Sequence, residues 1–373
     1  MLDGYRLMIP GPVQLSDEAL EEMGRQVVPH YGAEWTTFYN ETIGLMKKVF
    51  LTDGKVFPIP GSGSAALDAA MGSILGENDL LLVLSNGFFG ERLAEIARSY
   101  DPQTVVASVP VDEPLTSDVL LRALGEDHRI TAVAMVHSES SSGLLNPVRE
   151  LVNICRSRGL LTLVDAISSL GGAELLMDEW GIDICASASQ KCLEGPPGIG
   201  LVAVGSSAWE RIRALHTRGW YLNLRTWAEY ADRWSDWHPF PVTLPVQVFR
   251  ALRRGMERVV SEGLESRWQR HREMAVWAQN KVLPYGYRPV FPAELASPTI
   301  LALHPPDGLE VESVLESLKR DYRILVAGGM GAFKGRAFRV GNMGPQATES
   351  ELSHLTDALG DIATRGKERK HHG

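Results

Sequence analysis

The sequence predicts an α/β protein, a large doubly wound, mostly parallel sheet domain followed by a smaller α+β domain. Three observations carry that expectation. Apolar runs of strand length recur between helix-like segments, the runs are continuous instead of alternating, and 373 residues exceed one ordinary core. Continuous apolar runs belong to strands buried on both faces, as in a parallel sheet covered by helices.

Residues 1–15 read as an N-terminal arm containing Pro10 and Pro12. The large domain is expected over 16–258. In it, Gly61-Ser62-Gly63-Ser64-Ala65-Ala66 opens a helix running through Leu67, Ala70, Met71 and Ile74, and Pro58 and Pro60 interrupt the strand before it. Strands are expected at 80–84, 105–109, 130–136, 160–164, 184–188 and 199–204, with helices at 89–100, 117–124 and 148–158 between them. From 244 to 285 the pattern is helical, with Leu252, Met256, Val259 and Val260 on one face before Gly263, and this stretch links the domains. The small domain, 259–373, is expected to hold strands at 298–304, 322–326 and 337–340 around a helix at 309–320. A final helix follows at 349–363, with a basic, frayed tail from 365 to 373.

Composition narrows the function. With 44% apolar and 22% charged residues and a formal net charge of −9, the chain is globular and lacks the basic excess that nucleic-acid binding needs. Cys155, Cys185 and Cys192 are odd in number and show no CxxC spacing, against a disulfide framework or a structural zinc and in favour of a reducing cytoplasm. No signal peptide or membrane-spanning run is read, and no metal site. A small-molecule substrate is the expectation.

Ligands of open α/β sheets bind outside the carboxyl ends of the strands. Asp165, the 187–191 loop, the 85–89 loop and 137–142 all fall at such ends. Lys191 stands between an apolar run and the rigid turn Gly195-Pro196-Pro197-Gly198, with small residues at Ala186–Ser189 leaving room for a cofactor. A lysine capping a turn is the bland reading. A desolvated amine there would instead form an imine readily. Asp165, which could simply bond the next helix, would in the functional reading pair with a pyridine nitrogen and keep that ring protonated. A fixed carboxylate and a reactive amine converging at strand ends are what pyridoxal 5'-phosphate chemistry requires.

The other candidates are weaker singly. The free amides opening the helix at Gly61–Ala66 suit a phosphate, or merely cap an ordinary helix. The run also matches G-x-G-x-x-A with Asp79 downstream, but the interrupted strand speaks against a dinucleotide unit. Phe89 offers a flat face for a ring, or belongs to the core. Ser140 could bond a cofactor's ring hydroxyl or phosphate, or sit in a plain turn. Arg339 reads as a bidentate clamp for a substrate carboxylate or as a surface strand arginine. Residues 328–335 are glycine-rich without P-loop order and read as a mobile loop. The stretch from Trp220 to Trp237, with four tryptophans, suggests a subunit interface or an aromatic wall over substrate. Cys192 reads as pocket wall, and His30 and His137 as satisfied loop histidines.

Taken in order, these segments resemble the class V pyridoxal-phosphate aminotransferases, of the alanine/serine–glyoxylate(pyruvate) branch. The resemblance runs from Pro10-Gly11-Pro12 through Gly61-Ser62-Gly63, Asn86-Gly87-Phe88-Phe89-Gly90, Glu139-Ser140-Ser141-Ser142-Gly143, Val164-Asp165-Ala166 and Ser189-Gln190-Lys191 to Phe338-Arg339-Val340-Gly341. It implies a type I pyridoxal-phosphate transferase fold and a homodimer with shared active sites. Lys191 would be the imine lysine and proton carrier, Asp165 the partner of the ring nitrogen, and Arg339, with Gly11, the substrate-binding pair. Ser62, Gly63, Ser64 and Gln190 would hold the phosphate, Phe89 would stack on the ring, and Ser140 would complete the cofactor contacts. Thr243 would reach the phosphate of the neighbouring subunit. Phe240 stands where the alanine–glyoxylate relatives lead one to expect a phosphate-binding tyrosine.

The implied reaction is ping-pong transamination, from alanine or serine to glyoxylate or pyruvate. Closer rivals use 2-aminoethylphosphonate or pyridoxamine as donor with pyruvate. A desulfurase or lyase would need a mobile nucleophilic cysteine, and Gln190 stands where a histidine usually precedes the lysine. A nicotinamide oxidoreductase and an inactive scaffold subunit are more distant alternatives.

Overall fold

A computed structural model describes residues 4–77, 79–125, 129–215 and 218–371. The large sheet has seven strands, β1 (Lys55–Gly61), β2 (Leu80–Ser85), β3 (Val105–Ser108), β4 (Ile130–Val136), β5 (Leu161–Asp165), β6 (Ile184–Ala188) and β7 (Gly198–Val204). They lie in the order β1-β7-β6-β5-β4-β2-β3. β7 runs antiparallel to both β1 and β6, and the other pairings are parallel. Leu81–Leu84, Val133–Met135 and Leu201–Val204 are wholly buried, as their continuous apolar runs require.

The strand expected to be broken by proline is intact. β1 pairs along its whole length with β7, Pro58 opposite Leu201 and Pro60 opposite Ile199. It is an edge strand, so prolines are tolerated on its unpaired side. Its antiparallel sense still separates it from a dinucleotide-binding unit, whose first strand is parallel to its neighbours. The helix that follows, Gly63–Ile74, is buried almost throughout because its small residues admit neighbours closely. At Gly72 an added β-carbon would lie 2.8 Å from the Tyr100 ring.

Helices Val246–Glu262 and Leu264–Val282 meet at Gly263, whose φ of 81° lies in the left-handed region that glycine favours. The second helix contributes Trp268 to the large apolar core and Ala275, Ala278 and Val282 to a separate smaller one. That smaller core lines a four-stranded antiparallel sheet of β8 (Arg288–Pro289), β9 (Ile300–His304), β10 (Ala327–Gly328) and β11 (Phe338–Gly341), ordered β8-β9-β11-β10. Helices Val311–Tyr322 and Glu349–His371 pack against it.

Two expectations change here. Residues 322–326 do not join the small sheet, since Tyr322 closes a helix and Ile324–Leu325 pairs in parallel with Arg6–Leu7. The last helix continues past 363 to His371, aided by an Arg365–Asp361 pair at i,i+4 spacing, so the tail is helical that far. Met1–Asp3 of the arm and the last two residues of the tail lie outside the described residues. The rest of the arm continues from its strand into the small domain, where Met8 N–H donates to the Leu325 carbonyl and Gly341 N–H to that of Met8, both at 2.8 Å. Among the described residues, no helix is long and apolar enough to cross a membrane.

Candidate active site

Lys191 lies three residues beyond the end of β6 in a tight turn. Glu194 N–H returns to the Lys191 carbonyl at 3.0 Å and Gly195 N–H to that of Ser189 at 2.9 Å. Glu194 has a φ of 59°, costly for a side-chain-bearing residue, and is held there by Arg267 at 2.6 Å and Arg258 at 2.9 Å. Arg267, itself fully buried, also donates to the carbonyls of Cys192 and Gly171 at 2.8 Å each. The Lys191 amine donates to the Pro10 carbonyl. Burial pushes that amine down to about 8, with the Asp165 carboxylate opposing and Arg339 reinforcing the fall. A substantial neutral fraction near neutrality is what a nucleophilic amine needs.

Asp165 ends β5 and is buried. Its Oδ1 accepts from Ile167 N–H at 2.9 Å. Burial pushes its carboxyl up to about 7, Glu139 adds to that, and Lys191 and Arg92 oppose it. A cation brought against this carboxyl would pull it down again, so the site is arranged to receive one.

Between them lies a cavity of about 260 Å³, walled by Ser62, Gly63, Ser64, Phe89, Asp165, Gln190 and Lys191 among others. Ser62 stands at the N-cap of helix Gly63–Ile74 in extended conformation, and its hydroxyl makes no capping bond. Free hydroxyls and first-turn amides at that helix end suit a phosphate. Gln190 Oε1 is buried there without a partner. A β-carbon on Gly63 would come within 2.4 Å of Ile167 Cδ1. These features fit pyridoxal phosphate, with an anion-binding helix end, a flat apolar face, a buried carboxylate and an amine around one cavity.

The other predicted residues are distributed as follows. Gly11, in the arm, abuts Lys191. Arg339, on β11, donates through Nε and Nη2 to the Gly328 carbonyl at 3.0 and 2.8 Å, and through Nη1 to the Ser140 carbonyl at 2.7 Å. Ser140 is buried, is not part of the cavity wall, and contributes that carbonyl. Thr243 is exposed and lies apart from the cavity. Phe240 is fully buried against Tyr39 and His238. His137 bonds Ser169 at 3.0 Å and is pushed down to about 4 by burial. Cys192 is buried beside Val13, Ile300 and Met343. Trp220, Tyr221 and Trp237 are exposed, and none of them lines the cavity.

Residue-by-residue reading passed over Arg92, Ser138, Ser168 and Glu139. Arg92 lines the cavity, with its guanidinium carbon 5.4 Å from the Phe89 ring centre. Its position three residues after Phe89 on one helix was a usable signal. Ser138 and Ser168, also in the wall, are joined by a hydroxyl relay: Ser138 bonds Ser297, Ser297 bonds Thr299, and Thr299 donates to the Ser168 carbonyl. Nothing local marks that relay.

Comparison with known proteins agrees with this geometry. The family model described as aminotransferase class-V matches residues 18–344. An uncharacterized aminotransferase of Methanocaldococcus jannaschii is 34% identical over 94% of this chain and 90% of its own length. A Synechococcus protein named soluble hydrogenase, small subunit, is 33% identical over 92% and 89%. The alanine–glyoxylate aminotransferase of Callithrix jacchus is 32% identical over 95% and 86%. Proteins named pyridoxamine–pyruvate transaminase, from Mesorhizobium japonicum, and 2-aminoethylphosphonate–pyruvate transaminase, from Lysinibacillus sphaericus, are 28% and 29% identical. These cover 94% and 96% of this chain and 89% and 97% of their own lengths. Among solved structures, an alanine–glyoxylate aminotransferase from Nostoc sp. superposes with a TM-score of 0.90 at 29% identity, covering 96% of this chain and 95% of that one.

Proposed function

This chain belongs to the class V aminotransferases, and from that premise we propose that it moves an amino group from alanine or serine to glyoxylate or pyruvate. Pyridoxal phosphate supplies the imine link and the electron sink for such chemistry. In this reading Lys191 would hold the cofactor through its buried amine and, as a free amine, would take and return the substrate Cα proton. Asp165 holds the charge of the ring nitrogen. Ser62, Gly63, Ser64 and Gln190 would anchor the phosphate and Phe89 would cover the ring, while Ser140, outside the cavity wall, serves through its carbonyl on Arg339.

The observation that carries the donor class is Arg339. It is held by two carbonyls, and its charge is felt at the Lys191 amine. Both partners in the proposed exchange bear an α-carboxylate, so the same clamp would serve each half-reaction, with Gly11, against Lys191, as the second substrate contact. With 2-aminoethylphosphonate or pyridoxamine as donor, only the pyruvate half would engage it in that way.

The reading includes a homodimer. Thr243, exposed in one chain, would reach the neighbouring phosphate, and the exposed Tyr31 and Trp237 give the apolar surface such a contact uses. Three buried free thiols support a cytoplasmic setting.

A donor screen tests the proposal. Single amino compounds are added to the yellow holoprotein and bleaching of the visible band is followed. Alanine or serine should bleach it and pyruvate or glyoxylate restore it. Bleaching by pyridoxamine or 2-aminoethylphosphonate alone would replace the proposed donor.

A further inference from the structure

Glu139 does not line the cavity, yet its side chain is fully buried. Its carboxylate collects four donors. Phe89 N–H and Gly90 N–H reach Oε2, each at 3.1 Å, while Ser141 N–H, at 3.0 Å, and the Ser141 hydroxyl reach Oε1. The Ser141 oxygen in turn accepts from Phe88 N–H at 3.2 Å. Helix Phe88–Tyr100 has no side-chain cap of its own at Gly87. Its orphan amides are satisfied from about fifty positions away, by a charge that complements the positive helix end. Approach is this close because Gly87 has no side chain, and a β-carbon there would stand 2.5 Å from Glu139 Cδ.

That first helical turn carries Phe89 into the cavity wall. One residue beyond Glu139, the Ser140 carbonyl accepts from Arg339 at 2.7 Å. Segment 139–141 therefore holds the aromatic helix by its side chains and an arginine of the small sheet by its main chain. Burial pushes this carboxyl up, and the donors from Ser141, Gly90 and Phe89, already oriented toward it, oppose that rise and favour the charged form. The two helix ends at the site also diverge: that of Gly63–Ile74 is left open, and that of Phe88–Tyr100 is closed by Glu139.

We propose that Glu139 is a positioning residue that fixes Phe89 over the cofactor cavity and couples that ring to Arg339 through the Ser140 carbonyl. The inference rests on the cofactor reading above. Glu139→Gln puts an amide donor against groups that are themselves donors, while changing side-chain volume little.

The experiment measures cofactor Kd by the visible band, the circular dichroism that the bound cofactor acquires, KM for donor and acceptor, and the melting of the cofactor-free form. Glu139→Gln should raise the cofactor Kd roughly tenfold or more, weaken the induced dichroism and raise both KM values, as loss of charge-assisted hydrogen bonds implies. A variant that melts lower but keeps parental Kd, dichroism and KM would show a merely structural role and overturn the proposal. If Glu139→Gln does not fold, Ser141→Ala removes one carboxylate donor and the Phe88 contact. The same three readouts should then shift in the same direction, and their constancy overturns the proposal equally. A parent protein that takes up no pyridoxal phosphate would instead sink the cofactor reading itself.

Discussion

Gly11 and Lys191 compete for one volume. A β-carbon on Gly11 would stand 2.4 Å from Lys191 Cδ and 2.6 Å from its Nζ, and Gly11 has a φ of 80°. The arm thus brings its carbonyl at Pro10 onto the amine only because the next residue has no side chain. Gly11→Ala is expected to displace the lysine, with about a hundredfold loss in kcat and slower cofactor uptake. Steady-state kinetics and stopped-flow absorbance check this. Parental rates would mean that the arm yields more easily than its bonds to Leu325 and Gly341 suggest.

The Lys191 amine, held near 8 by burial, sets a pH dependence for its own reaction. Only the neutral amine attacks a carbonyl, so cofactor capture by the cofactor-free protein should rise about tenfold per pH unit below 8 and level off above it. Asp165 opposes the lowering, so Asp165→Asn should move the inflection to lower pH. Capture rates from pH 6 to 10 measure both effects. An inflection near the ordinary lysine range would contradict the desolvation argument.

Arg339→Lys tests the clamp. Lysine cannot span the Gly328 and Ser140 carbonyls while presenting a planar fork, so the carboxylate contact loses its bidentate geometry. KM for pyruvate or glyoxylate should rise roughly ten- to a hundredfold. An acceptor aldehyde without a carboxylate should be affected much less. Equal losses on both acceptors would place Arg339 outside the carboxylate site.

Much of this was legible because buried parallel strands leave continuous apolar runs, and site residues then fall at their ends. Asp165 and Lys191 are placed by that logic alone. β1 escaped it because its prolines are forbidden only in strands paired on both sides, and pairing is a property of the sheet. Residues 322–326 carry a valid strand pattern, but Tyr322 is taken by the preceding helix and the part that pairs, Ile324–Leu325, finds its partner in the arm, more than 300 positions away. Glu139 illustrates the limit at the site. Its neighbours in sequence are hydroxyls that suggest a turn, whereas its partners, Phe89 and Gly90, are brought to it by the β2 and β4 connections.

Asp165→Asn should separate stability from activity. The carboxyl is raised from an ordinary 3.8 to about 7 by burial, so in the cofactor-free protein the folded state keeps a proton that the unfolded chain has lost. Stability associated with Asp165 is therefore fully present below about pH 4 and declines as pH rises through 7. Asparagine carries no charge to bury and still offers an oxygen to Ile167 N–H, so the variant avoids that decline. Above pH 7 the cofactor-free variant should melt higher than the parent, by about 2 °C or more, and the gap should close toward pH 4. Transamination should meanwhile fall about a hundredfold or more, because a neutral amide no longer stabilises a protonated ring nitrogen. A variant both less stable at pH 8 and parental at pH 4 would reverse the sign and remove Asp165 from the role of a buried charge held in reserve for a cationic partner.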